Sequence, residues 1–243
     1  MPLKNDEMEA KILFKNLMKE SEKIDNINVS GLLRISGVKE IPAGYIQFES
    51  HGKLKSNSLS FKISFLKKPI MEIIFNDKDV IFVNHSGKQY IKFNIEEVDF
   101  SKFIGINFNP IEISYLFFGK VPYSGDMELM GYEYVKNEYI LEMTNSESKY
   151  TLLLNKKKEF LKFLINNEYF DSISLDSIQY TKNDDGISVP KNLTFSSEDQ
   201  KIKLNFIVDK SSFNPSEVKE MALSELKDYV EVFDINEIKI NLK

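Results

Sequence analysis

The sequence contains no cysteine, no tryptophan and almost no arginine. Without cysteine there are no disulfide bonds, no zinc sites built on thiolates and no cysteine nucleophiles. Of the 32 basic residues only Arg34 is an arginine, and this bias towards lysine is typical of an AT-rich genome. The formal net charge of -5 gives no overall basic surface for nucleic acid, so we expect no nucleic-acid partner.

Long apolar runs are absent as well. No stretch of about 18 residues is apolar enough for a transmembrane helix. Residues 1–7 have no apolar core and do not form a signal peptide. Two interpretations remain: a cytoplasmic protein, or an exported lipoprotein whose signal peptide and lipidated (lipobox) cysteine precede residue 1.

What is present is an ordinary globular composition, since 42% of the 243 residues are hydrophobic and 28% are charged. This length is enough to bury a substantial core. Residues 1–26 predict an N-terminal helix, because apolar residues recur there at helical spacing. These residues are Met8, Ile12, Leu13 and Leu17.

From residue 27 onward the hydrophobic period changes to two. In residues 58–66 (SLSFKISFL) the apolar side chains alternate with serine and lysine, and residues 44–50 and 201–208 repeat the pattern. Such alternation indicates antiparallel strands with one apolar face and one solvated face. The predicted strands are 27–36, 43–51, 58–66, 70–76, 79–84, 88–94, 126–135, 138–144, 149–155, 160–166, 172–182, 187–196 and 201–208.

Two later segments predict helices. Residues 96–119 are apolar, with Gly105 and Pro110 breaking the segment into short pieces. Residues 215–231 predict a C-terminal helix, and a short strand is expected at 235–242. No linker or repeat divides the chain, so we predict one domain over 1–243. Its parts are the helix at 1–26, a sheet at 27–213 with the helical segment near 96–119, and a C-terminal helix plus strand at 214–243.

Motifs for catalysis or metal binding are missing. His51 and His85 lie at strand ends or turns, and neither has a second histidine at ligand spacing, so we predict no metal site. Nucleophile elbows and phosphate-binding loops are absent from the sequence. Adjacent carboxylates such as Asp184 and Asp185 diverge and cannot act as an acid–base pair. We expect no enzymatic activity and no cofactor; a hydrolase with dispersed catalytic residues is the enzymatic alternative.

Aromatic residues are abundant, with 19 phenylalanines and 11 tyrosines. A sheet of this size with a single apolar face needs other elements to cover that face. If the helices cover it loosely, a cavity lined by phenylalanine and isoleucine remains for an apolar ligand. If the side chains pack against one another, the interior is a filled core, and periodicity alone favours this second arrangement.

Residues 65–71 (FLKKPIM) connect two predicted strands. A loop with large apolar residues after a proline, flanked by lysines, would expose an apolar tip to a membrane surface. The alternative is a tight turn in which Ile70 and Met71 already belong to the next strand.

The order of these features resembles the bacterial lipoprotein-carrier superfamily, the LolA/LolB type and its outer-membrane lipoprotein branch. The resemblance covers residues 8–213. The segments that carry it, after the leading helix, are 29–35 (VSGLLRI), 58–66, the Pro69-Ile70 connection, 79–83 (DVIFV), 87–90 (GKQY), 116–122 (LFFGKVP) and 187–193 (ISVPKNL).

The resemblance implies a half-open curved antiparallel β-barrel, with helices forming a lid over an apolar cavity for acyl chains. The receptor branch displays an apolar residue on a protruding loop after a proline, and Ile70 occupies the matching position. This sequence departs from the family where Lys68 and Met71 replace the glycines that usually surround that proline. The arginine typical of the carrier branch has no counterpart either.

We therefore expect a mainly β (α+β) protein with about 11–13 strands that binds acyl chains of lipids or lipoproteins, for transport or outer-membrane insertion. We expect a monomer at the periplasmic face of the outer membrane; the alternative location is the cytoplasm. The functional alternative is a structural lipoprotein with a filled cavity that binds a protein partner. The predicted cavity residues are Ile46, Phe48, Phe61, Ile63, Phe65, Ile73, Phe75 and Phe82, with Ile113, Leu116 and Phe117 in the lid, and the predicted membrane-contact loop is Pro69 and Ile70.

Overall fold

The computed structural model describes residues 5–37, 44–76, 78–94, 98, 109–122, 125–167, 172–182, 188–197, 201–215 and 223–234. Its elements are, in chain order, α1 (Asn5–Glu22), β1 (Asn26–Ser36), β2 (Ile46–Lys53), the 3-10 helix η1 (Leu54–Ser56), β3 (Ser58–Phe65), β4 (Lys68–Asn76), β5 (Asp79–Asn84), β6 (Gln89–Asn94), α2 (Pro110–Leu116), β7 (Glu128–Val135), β8 (Glu138–Thr144), β9 (Ser148–Leu154), β10 (Phe160–Asn167), β11 (Ile173–Lys182), β12 (Ser188–Ser197), β13 (Lys203–Phe213), the 3-10 helix η2 (Leu223–Leu226) and β14 (Val230–Glu231).

These strands follow one open order, β14-β6-β5-β4-β3-β2-β1-β13-β12-β11-β10-β9-β8-β7. Neighbours that are consecutive in the chain pair antiparallel, for example β3 with β4 and β8 with β9. The prediction of a mainly β fold of the half-open barrel class is confirmed. The described residues form 14 strands, one more than the upper end of the predicted 11–13. The additional strand is the two-residue β14.

The chain divides into two compact units. The first takes its residues from 1–23 and 100–206, and the second from 24–99 and 207–243. Strand β13 begins in the first unit and ends in the second. The prediction of a single domain stays a prediction.

Helix α1 buries only part of the predicted stripe. Leu13 is 2% exposed, as is Ala10 outside the stripe, whereas Met8 is 53% and Ile12 56% exposed. The hydroxyl of the buried Ser21 donates to the Leu17 carbonyl, one helical turn earlier. Apolar spacing therefore predicted Leu13 correctly but also selected two residues that face solvent.

In the second unit, strand β1 shows the clean alternation that the sequence predicts. Its glycine, Gly31, has a steric reason: a Cβ there would lie 2.0 Å from the Ile207 carbonyl oxygen on β13. Any larger side chain would push the two strands apart. Strand β4 instead buries both faces over Ile70–Phe75, because the C-terminal segment packs on its outer side.

That C-terminal segment corrects the predicted helix at 215–231. Leu223–Leu226 form one 3-10 turn, and Val230–Glu231 add to β6 as a parallel strand. Leu226 packs against Ile74, Ile81 and Val83 on the outer face of the sheet. Residues 223–234, called the strap below, lie along the sheet as a 3-10 turn and a short strand, and residues 216–222 of the predicted helix lie outside the described part. The predicted strand at 235–242 lies outside the described residues.

Candidate functional site

The apolar face of the second unit brings together most of the predicted cavity residues. Phe48 on β2 pairs with Ile63 on β3, and Phe61 on β3 pairs with Ile73 on β4. Because side chains alternate along strands and opposite residues share a face, the register places the whole set on one side of the sheet. The predicted residues on this face are Ile46, Phe48, Phe61, Ile63, Ile73, Phe75 and Phe82.

Exposure differs across this apolar face. Phe75 and Phe82 are each 1% exposed, whereas Ile46 and Phe61 are partly exposed. The Phe61 ring stacks on Phe48, with 5.8 Å between centroids. Ile46 and Phe61 are thus the accessible residues of this face, and the other five are buried beside them.

Ser50 lies on the same face, directly opposite Phe61. It is fully buried, and its Oγ has no hydrogen-bond partner among the residues that the structure describes. A buried hydroxyl without a partner costs roughly 1–3 kcal/mol. Ser50 was not among the residues predicted from the sequence. Its position, two residues after Phe48 in an alternating strand, already indicated a polar side chain on the apolar face.

Phe65 lies at the exposed end of this face. It continues the β3 alternation of Phe61 and Ile63, and it is 48% exposed at the last residue of the strand. The pairing of β3 with β4 shifts between Ile63 and Ser64, but the extra residue is Ile70, so the two-residue period is interrupted on β4 and not on β3. That Phe65 lines a cavity stays a prediction.

The residues of the predicted membrane-contact loop do not form a loop. Pro69 and Ile70 are part of β4, and Ile70 is 8% exposed, while its carbonyl accepts a hydrogen bond from the His85 amide. The turn between β3 and β4 consists of Leu66 and Lys67, and Leu66 is 77% exposed. The tight-turn alternative is the correct one, and the exposed apolar tip precedes the proline.

The backbone of this turn is unfavourable for its side chains. Leu66 has φ 51° and Lys67 has φ 67°, the left-handed region that two-residue hairpin turns usually fill with asparagine and glycine. The turn between β7 and β8 has the same signs of φ but carries Lys136 and Asn137. A leucine in this position is a local violation of turn chemistry, and such violations concentrate at functional sites.

The three predicted lid residues belong to the first unit, around helix α2. Asn109 caps the helix, since its Oδ1 accepts from the Ile111 amide at 3.0 Å. Helix α2 ends at Leu116. Three residues later, Gly119 has a φ of +63°, and its amide donates to the Leu116 carbonyl. The predicted segment at 96–119 therefore has a short helix, and residues 99–108 lie outside the described part.

All three lid residues are buried. Ile113 is 4%, Leu116 0% and Phe117 2% exposed. The Phe117 ring lies edge-on to Phe206 at 5.0 Å and to Phe195 at 6.4 Å. Phe117 is thus the centre of an aromatic cluster inside the first unit, and it supports the position of α2.

Helix α2 also carries a partly buried carboxyl group, on Glu112, that was not predicted from the sequence. Glu112 Oε1 accepts from Tyr150 Oη at 2.7 Å and from Ser148 Oγ at 3.4 Å. Burial raises the pKa of Glu112 to about 7; the hydrogen bonds from Tyr150 and Ser148 reduce the rise, and Glu147 adds to it. No motif signals such a group, because its environment comes from β9.

The second unit carries a polar cluster on its outer face, where the strap packs. Ser60 Oγ donates to Glu72 Oε1 at 2.5 Å, and Glu72 Oε2 lies 3.1 Å from His85 Nε2. His85 Nδ1 lies 2.9 Å from Tyr229 Oη. Burial raises the pKa of Glu72, but the hydrogen bonds from His85 and Ser60 outweigh it and hold the pKa below its ordinary value.

This cluster is ordered differently from a hydrolase triad. In a triad the histidine lies between the serine and the acid, whereas here Glu72 lies between Ser60 and His85. The other histidine, His51, has its Nε2 3.9 Å from Glu49. Across the described residues no group of three or more histidines and carboxylates could hold a metal ion. The cluster's visible role is to attach Tyr229 of the strap to the sheet.

No protein-family description matches the chain, and no curated protein matches it in sequence. Solved structures do. A LolA superfamily protein from Nitrosomonas europaea aligns with a TM-score of 0.55 at 12% identity, over 89% of this chain and 98% of that one. This chain has a LolA/LolB-like fold. The resemblance predicted from the sequence is confirmed at the level of the fold.

Two other structures share the LolA/LolB-like fold. An outer membrane lipoprotein-sorting protein domain from Vibrio parahaemolyticus aligns with a TM-score of 0.58 at 9% identity, over 89% of this chain and 97% of that one. A DUF1329 family protein from Desulfovibrio piger aligns with a TM-score of 0.58 at 12% identity, over 85% and 94%. In the described part of the chain, no helix is both long and apolar enough to span a bilayer.

Proposed function

We propose that the chain binds acyl chains of lipids or lipoproteins, without catalysis, at the periplasmic face of the outer membrane. The observation that carries the proposal is the shared apolar face of the second unit, on which Phe61 and Ile46 keep accessible surface beside the buried Phe48. The fold of a lipoprotein-sorting domain agrees with this proposal. Lipid uptake would then serve transport or membrane insertion.

The energetics require a large apolar surface. Each methylene that leaves a membrane costs roughly 0.8 kcal/mol, so a long acyl chain resists extraction by about 10 kcal/mol. A carrier must recover most of this on its own apolar side chains. The apolar face of the second unit carries seven apolar side chains. Ile46 and Phe61 offer accessible surface, whereas the other five are buried, so a larger contact with an acyl chain requires that they be uncovered.

Native mass spectrometry of the purified chain tests the proposal. We expect co-purified lipid at a defined stoichiometry, or uptake of a triacylated lipopeptide and a diacyl phospholipid on titration. An apo mass that takes up neither ligand contradicts the proposal. It would favour the alternative, a structural lipoprotein with a filled interior that binds a protein partner.

We also propose that the β3–β4 turn contacts the membrane. Phe65 and Leu66 are exposed, Lys67 and Lys68 follow them, and the Gln47 side chain holds the turn by accepting from the Lys67 amide at 3.2 Å. Apolar side chains next to lysines suit an interface in which the apolar part enters the acyl boundary and the lysines meet anionic headgroups. This replaces the predicted contact at Pro69 and Ile70.

The Leu66→Asn variant should change stability and membrane binding in opposite directions. Asparagine tolerates the left-handed backbone, so we expect a free energy of unfolding about 0.5–1 kcal/mol above that of the wild type. Loss of a leucine worth roughly 1.5–3 kcal/mol of transfer should lower the fraction bound to phosphatidylethanolamine–phosphatidylglycerol vesicles about tenfold or more. Vesicle co-sedimentation and urea unfolding measure the two effects.

Val135→Asn is the matched control, because Val135 is 47% exposed at the end of another hairpin strand. It removes a similar apolar surface and should leave vesicle binding unchanged. Equal losses from both variants would show non-specific adsorption and would contradict the proposed contact at Leu66.

A further inference from the structure

Strand β7 stands at one end of the strand order, in the first unit. Its described residues pair with β8 on one side, and the ladder is regular from Gly131 to Val135 after a shift near Leu129. At the other end of the order, the strap covers β6: the Val230 and Val232 amides donate to carbonyls of that region. Edge strands attract other strands unless lysine, proline or a cover protects them. The sequence of β7 contains neither lysine nor proline.

The segment around β7 is also the acidic part of the chain. Residues 126–147 contain six carboxylates and one lysine, a balance of -5, which equals the formal net charge of the whole chain. In the rest of the chain, the acidic and basic residues are therefore equal in number. An acidic sheet edge in an otherwise lysine-rich chain selects positively charged partners.

The two faces of β7 differ in chemistry. On one face Glu133 lies between Gly131 and Val135, and the Glu142 carboxylate lies over Gly131, 2.8 Å from where a Cβ would be. On the other face Tyr132 and Tyr134 lie beside β8 residues. They line a groove with Glu9 and Ala10 of α1, and Glu133 also lines this groove. Tyr134 and Met130 are 50% and 67% exposed. The edge thus presents carboxylates on one face and aromatic surface on the other.

We infer that this edge docks an extended segment of a partner protein as an additional antiparallel strand, with lysine or arginine alternating with apolar residues. Backbone hydrogen bonds to β7 provide affinity, and the alternation provides specificity. The basic side chains face Glu133 and Glu142, and the apolar side chains face Tyr132 and Tyr134. A second copy of β7 would place carboxylates opposite carboxylates, which destabilises cross-strand pairs.

A labelled eight-residue peptide of alternating lysine and valine, the length of β7, is the probe. We expect saturable binding of one peptide per chain by fluorescence anisotropy, weakening as salt is raised. A peptide of alternating glutamate and valine should not bind. A lysine–valine peptide with N-methyl groups on one backbone edge keeps its charge but cannot pair with β7, so its binding should be lost.

Glu133→Lys should weaken binding of the lysine–valine peptide about tenfold, because an attraction becomes a repulsion. Asp209→Lys, at an exposed position of β13, makes the same charge change elsewhere and should have little effect. Circular dichroism checks that both variants fold. The inference is overturned if the N-methylated peptide binds as well as the parent, or if both variants weaken binding equally. It is also overturned if the free chain forms a dimer that the peptide dissociates, because the occupant is then a second copy.

Discussion

The Glu112→Gln variant should be more stable than the wild type at pH 8, with a free energy of unfolding higher by about 2–3 kcal/mol. The reason is that folding buries this carboxyl group and raises its pKa to about 7 from the ordinary 4.5. One pKa unit corresponds to about 1.4 kcal/mol, so the full difference corresponds to about 3.5 kcal/mol, and the partial exposure of Glu112 reduces the expected effect to about 2–3 kcal/mol. Glutamine keeps the size of the side chain and an acceptor for Tyr150 Oη, and it carries no charge.

The sign of the pH dependence follows from the direction of the shift. Between about pH 4.5 and 7 the native chain keeps the Glu112 proton, while the unfolded chain has lost it. The native state then binds more protons, and stability falls as the pH rises through this window. Below pH 4.5 both states are protonated, so wild type and Glu112→Gln should converge there.

Urea unfolding from pH 4 to 8 measures this difference. The stability curve of Glu112→Gln should lie parallel to that of the wild type above pH 7 and meet it near pH 4. Glu147→Gln is the control, because Glu147 is exposed near the same carboxyl group and should change stability little. A constant gap at every pH would show that Glu112 does not titrate within this window.

Aspartate substitutions at Phe61 and Phe117 should have different effects. Phe117 is 2% exposed and packs against Phe195 and Phe206, so Phe117→Asp leaves a charge and a void in the first unit. We expect a loss of at least about 4 kcal/mol in the free energy of unfolding, a large share of the 5–15 kcal/mol of a typical domain. Thermal unfolding should show this loss directly.

Phe61→Asp should leave the chain folded and abolish uptake of the triacylated lipopeptide. Phe61 is partly exposed, so a carboxylate there retains water while it disrupts the apolar face. Phe61→Leu is the matched control, because it keeps an apolar side chain and should keep most of the binding. Unchanged uptake by a folded Phe61→Asp variant, measured by native mass spectrometry, would contradict the proposed role of this face.

Sequence periodicity predicted much of this fold. The alternation in residues 58–66 became β3, and the same period placed Phe48, Phe61 and Phe82 on one face. This succeeded because the side-chain direction in a strand is a local property of the backbone. The period is interrupted at Ile70, where β4 carries one residue more than β3 beside Pro69.

Other features depended on contacts between distant residues. Residues 215–231 predicted a helix, but in the strap at 223–234 Leu226 packs on Ile74, Ile81 and Val83 of β4 and β5, which come from distant parts of the chain. The turn at Leu66 precedes the proline because β4 takes Pro69 into its ladder. In each case packing overrode the local preference.

The sequence by itself determined the strands, the mainly antiparallel sheet and the LolA/LolB-like order of elements, because each follows from the period and the turn residues of short segments. Only the tertiary structure decided the exposed leucine turn, the partly buried carboxyl group of Glu112 and the acidic edge at β7. Exposure, pKa and edge position are properties of neighbours that lie far away in the chain. Those residues become neighbours only when the chain folds.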